Sequence, residues 1–383
     1  MSVEVHGECD PWFELVREVF EDSFARGLER GAAVSVVVDG RSVVDLWGGI
    51  ASARDRRPWQ RDTLVNVYSA GKGIAALCLH RLADRGKLEL EAPVSSYWPQ
   101  FAARDKRDIT IEQLLAHGAG LAAIEVPLPH EALYDHATIV AALEGQPPLW
   151  QPGDGHGYHA QTFGFLVAEL VARVAGCSIG QYVRDELAGP LDADFHFGVR
   201  PELDPRIAEV TRPLGAAAPA GQPDLAAVFR DEPDSLTTRA FCNPVPNRGA
   251  ANTRRWRAAE IPGSNGHGNA RGLASIYGAA AADTGLLSGA ALTRCGRGPG
   301  ASEDRVLRMK TRFAGGFMLS QPEGPGHFSD SPGAFGHPGM GGSLGFADPA
   351  AGLGFGYTMN LAGASILVGE RPAKLAKAVY ACL

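Results

Sequence analysis

The sequence predicts an α+β protein: an antiparallel sheet flanked by terminal helices, with a mainly helical lobe inserted between its strands. Three observations carry this. Runs of β-forming residues broken by tight-turn residues lie near both ends of the chain, at about 33–47 and 343–360. Between them, apolar residues recur at helical spacing. The 383 residues are also too many for one small core but suit two lobes. The expected division is 1–75 with 265–383 for the sheet-bearing lobe and 76–264 for the helical lobe, with any functional site expected in the cleft between them.

In chain order, residues 11–26 have helical apolar spacing, with Pro11 suited to a first turn. Residues 33–38 and 41–47 flank Asp39-Gly40, the signature of a two-residue hairpin. Residues 69–85 are apolar on nearly every face (Ile74, Leu77, Leu79, Leu82), which predicts a buried helix stopped by Gly86. A short helix is expected at 109–117. A longer one is expected at 160–175, where Phe163, Leu166, Val167, Leu170 and Val174 share a face. Residues 200–265, rich in Pro, Ala and Arg, read as loops and short helices, and Asn265-Gly266-His267-Gly268 as a glycine-rich turn. An Ala-rich helix at 269–284, a hairpin of 343–347 with 353–360, and a last helix at 371–381 complete the chain.

Bulk properties exclude several classes. Hydrophobic residues make up 45% and charged residues 21%, and the net charge of −7 forms no block, which argues against a nucleic-acid footprint. No apolar run reaches the length of a membrane span, and the N-terminus lacks the pattern of a secretion signal. The six cysteines are scattered with no CxxC pair, so they read as reduced thiols in a cytoplasmic protein. No H-E-x-x-H motif is present, and neither a metal nor a cofactor is expected.

The chemistry points to Ser69-Ala70-Gly71-Lys72, the one S-x-x-K tetrapeptide in the chain. Lysine occupies only six positions, so its place here carries weight. At a helix start, residues three apart share a face, and the Lys72 amine can reach the Ser69 hydroxyl. A serine needs such a base, and burial in an apolar helix would lower the lysine pKa from its usual value of roughly 10.4. The bland alternative is an N-cap serine with an incidental lysine, but that leaves a lysine unpartnered on an apolar helix.

Ser69–Lys72 after a hairpin and at the head of a buried helix resembles the serine β-lactamase and penicillin-binding-protein superfamily, family VIII carboxylesterases in particular. Leu114-Leu115-Ala116-His117-Gly118-Ala119-Gly120-Leu121, Pro152-Gly153 before Tyr158, Asn265-Gly266-His267-Gly268 and His337-Pro338-Gly339 resemble further landmarks, over about residues 12–380. The resemblance implies a β-lactamase/transpeptidase-like fold. It also implies Tyr158 as a proton-transferring tyrosine of a Y-x-N motif, His337-Pro338-Gly339 in place of K-T-G, and an oxyanion hole from the N–H groups of Ser69 and Met340. A tyrosine can act as a base where neighbouring positive charge lowers its pKa.

Two departures matter. Ala160 replaces the asparagine of Y-x-N, and His337, mostly neutral at pH 7, replaces the lysine of K-T-G. Both point away from β-lactamase or D-peptidase chemistry and toward a carboxylesterase acting on small to medium uncharged esters. Acyl transfer to an alcohol or amine is the alternative, and a non-catalytic binding module is disfavoured by intact Ser69, Lys72 and Tyr158. His337, Gly339, Trp150, His159 and Phe163 are candidate substrate contacts, with Phe195 and Phe197 behind them. Two G-x-S-x-G matches, at Ser178 and Ser343, read as decoys: one follows a helix, and no histidine follows His337 to complete a triad with Ser343.

Overall fold

The computed structural model describes residues 3–212, 218–247, 249–282 and 286–383. The last two positions of the Ala-rich helix expected at 269–284 therefore lie outside the described residues. Thirteen strands are present among those described. They are β1 (Val5–Cys9), β2 (Gly31–Val38), β3 (Arg41–Gly49), β4 (Val65–Tyr68), β5 (Phe195–His196), β6 (Gly266–Gly268), β7 (Ser302–Glu303), β8 (Lys310–Thr311), β9 (Phe313–Ala314), β10 (Phe317–Leu319), β11 (Phe335–Pro338), β12 (Leu344–Asp348) and β13 (Leu353–Met359). The α-helices among the described residues are α1 (Glu14–Ala25), α2 (Gly71–Asp84), α3 (Ile111–Leu115), α4 (His136–Gly145) and α5 (Thr162–Ala175) in the first half. They continue with α6 (Ile179–Val183), α7 (Leu225–Asp231), α8 (Leu236–Cys242), α9 (Arg254–Ala258), α10 (Ala270–Ala281), α11 (Gly289–Cys295) and α12 (Glu370–Cys382).

Eight strands form one antiparallel sheet in the order β1-β3-β2-β13-β12-β11-β10-β9. The N-terminal hairpin turns at Asp39 (φ +48°) and Gly40 (φ +76°), the left-handed pair that a two-residue turn requires. The two ends of the chain meet where β2 pairs with β13, with Val36 opposite Phe355. The sheet is buried on both faces. Phe20, Phe24, Val34, Val44, Phe346, Phe355, Leu375 and Val379 pack it against α1 and α12. Ile74, Leu77, Leu273, Tyr277, Phe317 and Phe335 fill the other side, where α10 lies on the sheet and α2 is enclosed by α5 and α6.

Three local features differ from the sequence expectations. The edge strand β1 carries no readable signal, because its His6-Gly7-Glu8 centre is exposed and does not alternate. Gly266-His267-Gly268 is a buried strand, not a turn: β6 sits between β4 and β5, and its glycines let the Phe195 and Phe197 rings lie against it. The central helix starts at Gly71 rather than Ser69, although the Lys72 N–H already bonds the Ser69 carbonyl at 2.9 Å. No single described helix is long and apolar enough to cross a membrane; α5 with residues 179–191 passes only as a pair bent by 73°.

The sheet approaches α10 closely because β13 is glycine-rich. A Cβ on Gly354 would lie 2.2 Å from the Gly278 nitrogen and 2.4 Å from the Ala274 carbonyl. Gly354→Ala is expected to destabilise the fold by about 1–3 kcal/mol through overpacking against backbone. A shift of the urea midpoint checks this, and an unchanged midpoint contradicts the packing described.

Candidate active site

Strand β4 delivers the chain to Tyr68, whose φ of +49° turns it out of the strand. Ser69 follows, two residues before α2. Lys72, on the first turn of α2, is wholly buried. Its Nζ lies 3.2 Å from Ser69 Oγ, 2.8 Å from the Ala160 carbonyl and 2.7 Å from the Gly263 carbonyl. Among the described residues no carboxylate pairs with it, and burial lowers its pKa to about 7. A neutral amine has two N–H donors and one lone pair. As an ammonium, Lys72 donates to both carbonyls and to Ser69 Oγ; once the proton is lost, the two carbonyls can keep both N–H groups and the lone pair can turn to the Ser69 hydroxyl.

The backbone that receives Lys72 was not foreseen from the sequence. Gly263 reaches Nζ because Gly164 of α5 leaves room for its loop: a Cβ on Gly164 would sit 2.1 Å from the Gly263 nitrogen. Asn265 ties that loop down, accepting from the Ile261 N–H at 2.8 Å and donating to the Trp256 and Ala259 carbonyls. A glycine inside the strongly apolar α5 was the available signal.

Tyr158 stands in the loop before α5 with its ring 4.9 Å from Lys72 Nζ. The ring stacks on Phe313 at 5.6 Å and meets His117 and His337 at 5.1 and 5.9 Å. Its backbone N–H donates to Asp304 at 3.0 Å, a buried carboxylate that also accepts from the Val306 and Leu307 N–H groups. Asp304 is a positioning residue that the sequence did not reveal. Burial raises the phenol above its ordinary value, and the hydrogen bond with Ser69 only partly offsets this. The condition under which Tyr158 would serve as a base, a pKa lowered by nearby positive charge, is not met: burial and the Asp304 charge both raise it, and Tyr158 is a neutral phenol at pH 7.

His337 lies on β11 and is buried. Its Nδ1 is 2.7 Å from the Pro338 carbonyl, to which it donates, so Nε2 carries the lone pair. Burial lowers its pKa to about 3, and the ring is uncharged at neutral pH. A Cβ on Gly339 would be 2.1 Å from both Ser343 Oγ and the Val67 carbonyl. The Ser343 hydroxyl is spent on that carbonyl at 2.7 Å, which confirms it as structural. The bond ties the 339–343 turn to β4, just before Ser69. Met340 is half-buried, and neither its N–H nor that of Ser69 has a partner among the described residues.

Other expected contacts lie elsewhere. His159 is fully buried with both ring nitrogens engaged, accepting from the Leu121 N–H at 3.1 Å and bonding the Gly157 carbonyl at 2.7 Å. Phe163 is buried inside α5 against His117, and Phe195 and Phe197 are buried edge to face at 5.2 Å. These four build the wall behind the site and do not reach its surface. Trp150 remains half-exposed, with the Arg305 guanidinium 5.5 Å from its ring. No group of three or more His, Cys, Asp or Glu among the described residues is placed to hold a metal.

The family model described as Beta-lactamase matches residues 16–378. The chain belongs to the β-lactamase family. It is 36% identical over 369 residues to the protein named Esterase/beta-lactamase LipL of Mycobacterium tuberculosis (strain ATCC 25618 / H37Rv), which covers 93% of this chain and 83% of that protein. A crystal structure of a family VIII carboxylesterase superimposes with a TM-score of 0.90 at 38% identity, covering 99% of this chain and 100% of that one. A penicillin-binding protein homologue from Caulobacter crescentus gives 0.89 at 34% identity, with coverage of 99% and 100%. The antiparallel sheet with its helical layers is thus the fold of this β-lactamase-family member.

The environment of Lys72 is directly measurable, because only six lysines contribute signals. The 13Cε resonance of Lys72 is expected to titrate with a midpoint near 7, the ammonium form lying below it and the free amine above. A midpoint near 10.5 would show a solvated lysine and contradict the geometry.

Proposed function

We propose that this chain is a carboxylic-ester hydrolase in which Ser69 carries the acyl group. The observation that carries this reading is the buried Lys72 amine, held 3.2 Å from Ser69 Oγ with no carboxylate partner among the described residues and with two carbonyls to accept its N–H groups. Similarity to LipL and to a family VIII carboxylesterase over nearly the whole chain supports ester substrates.

Lys72 takes the Ser69 proton as Oγ attacks the ester carbonyl. The developing oxyanion is stabilised by the unspent N–H groups of Ser69 and Met340. Tyr158, a phenol bonded to Ser69, relays the proton from Lys72 to the departing alcohol, and water then releases the acid by the reverse route. The substrate class follows from what the site lacks. Ala160 offers no amide, and His337 presents no positive charge to a carboxylate. Uncharged esters fit, with the half-exposed Trp150 as the apolar contact at the rim. All six cysteines are unpaired, which suits a reducing cytoplasm.

On p-nitrophenyl butyrate, Ser69→Ala is expected to lower kcat by about 10³-fold or more. Retention of wild-type turnover by this variant would overturn the assignment. The sign of the pH dependence follows from the base: kcat/KM should rise tenfold per pH unit below about 7 and level off above, as Lys72 loses its proton. A limb centred above pH 9 would exclude Lys72 as the base.

A further inference from the structure

The oxyanion donor assigned to Met340 sits on a turn whose shape is set by a side chain far along the sequence. Arg371, the second residue of α12, is buried against that turn with its side chain 12% exposed. Its Nη2 donates to the Gly341 carbonyl at 2.9 Å and to the Leu361 carbonyl at 2.9 Å. Its Nη1 donates to the Leu28 carbonyl at 3.0 Å and to Glu29 at 2.8 Å. Tyr357 on β13 donates its hydroxyl to the other oxygen of Glu29, whose side chain is wholly buried.

The turn is shaped to meet this guanidinium. Gly341 has φ +94° and Gly342 φ +132°. A Cβ on Gly342 would lie 3.1 Å from Arg371 Nη2, and one on Gly341 would lie 2.6 Å from the Ala362 side chain. The Gly341 N–H bonds the Ser365 carbonyl at 2.8 Å, and the Gly341 carbonyl also accepts from the Gly363 N–H at 2.8 Å. Met340 is therefore fixed on its C-terminal side by Arg371 and on its N-terminal side by the Gly339 N–H, which bonds the Ser343 carbonyl at 2.7 Å.

We propose that Arg371, oriented by Glu29 and Tyr357, is a positioning residue for catalysis: its planar fork holds the 339–342 turn so that the Met340 N–H points at the oxyanion. The assignment rests on the Ser69 esterase reading above. A fork is required because three carbonyls on different segments and a carboxylate are held at once. An ammonium on a flexible stem keeps the charge beside Glu29 but not that geometry. Preorganised donors act on the transition state and not on the bound ester, so loosening the turn should leave KM and lower kcat.

The test is Arg371→Lys on the full chain, at a temperature where circular dichroism shows it folded. The expected result is a fall in kcat of about 10- to 100-fold with KM changed by less than about twofold. Affinity for a trifluoromethyl ketone, which forms an oxyanion on Ser69, should fall by the same factor as kcat/KM. A variant that only loses thermal stability, with kcat and ketone affinity intact, overturns the proposal. If Arg371→Lys does not fold, Tyr357→Phe, which frees one oxygen of Glu29, should give a smaller drop in kcat at constant KM. An unchanged kcat there also overturns it. Ser69→Ala, measured in parallel, separates the two levels: loss of Ser69 dependence in the wild type sinks the esterase reading itself, whereas Ser69-dependent turnover insensitive to Arg371 sinks only this inference.

Discussion

One buried amine organises this site. Lys72 is enclosed without a carboxylate partner, and the low-dielectric surroundings disfavour its ammonium form. The shift from 10.5 to about 7 corresponds to roughly 5 kcal/mol of bias toward the neutral amine. An ion pair would have stabilised the lysine better, but it would have filled its lone pair with a proton. Two backbone carbonyls, from Ala160 and Gly263, satisfy the N–H groups without supplying a counter-charge. The amine is thereby kept able to lose its proton near pH 7.

That arrangement constrains segments distant in sequence. The Gly263 carbonyl is in reach only because Gly164 has no side chain and Asn265 pins its loop. The Ala160 carbonyl is placed by the segment that carries Tyr158, itself fixed by Asp304. Beside β4, Gly339 fits against Val67 only without a Cβ, and the Ser343 hydroxyl bonds the same carbonyl. Ser69, Lys72, Tyr158 and the 339–342 turn, the groups proposed to react, are thus each held through backbone groups. Electrostatic preorganisation of this kind needs a rigid frame, and an eight-stranded sheet packed on both faces supplies one.

Much of this was legible in the sequence where local chemistry is strong. The Asp39-Gly40 hairpin, the apolar α2 and α5, and the 344–359 hairpin follow from turn residues and periodicity. Ser69 and Lys72 were legible because helical spacing alone brings them together. What escaped was whatever depends on tertiary approach. The β1 edge strand has no alternating face, and β6 looks like a turn because its glycines serve packing against Phe195 and Phe197. His159 and Phe163, close in sequence to Tyr158, looked like substrate contacts, yet the loop before α5 buries the first and the first turn of α5 buries the second. Asp304 and Arg371 act through backbone groups 146 and 30 residues away, and no local pattern marks such contacts. The phenol of Tyr158 shows the same limit for electrostatics: only packing reveals that the ring is buried and that the carboxylate of Asp304 lies near it, both of which raise its pKa.

The central claim is that Ser69 becomes acylated during turnover. Trapping a slowly deacylating ester by acid quench and mapping the peptides by mass spectrometry tests it most directly. The account predicts a single acyl adduct on Ser69, absent from Lys72→Ala, which lacks the base. An adduct on Ser343 or elsewhere, or steady turnover with no covalent intermediate, would contradict it.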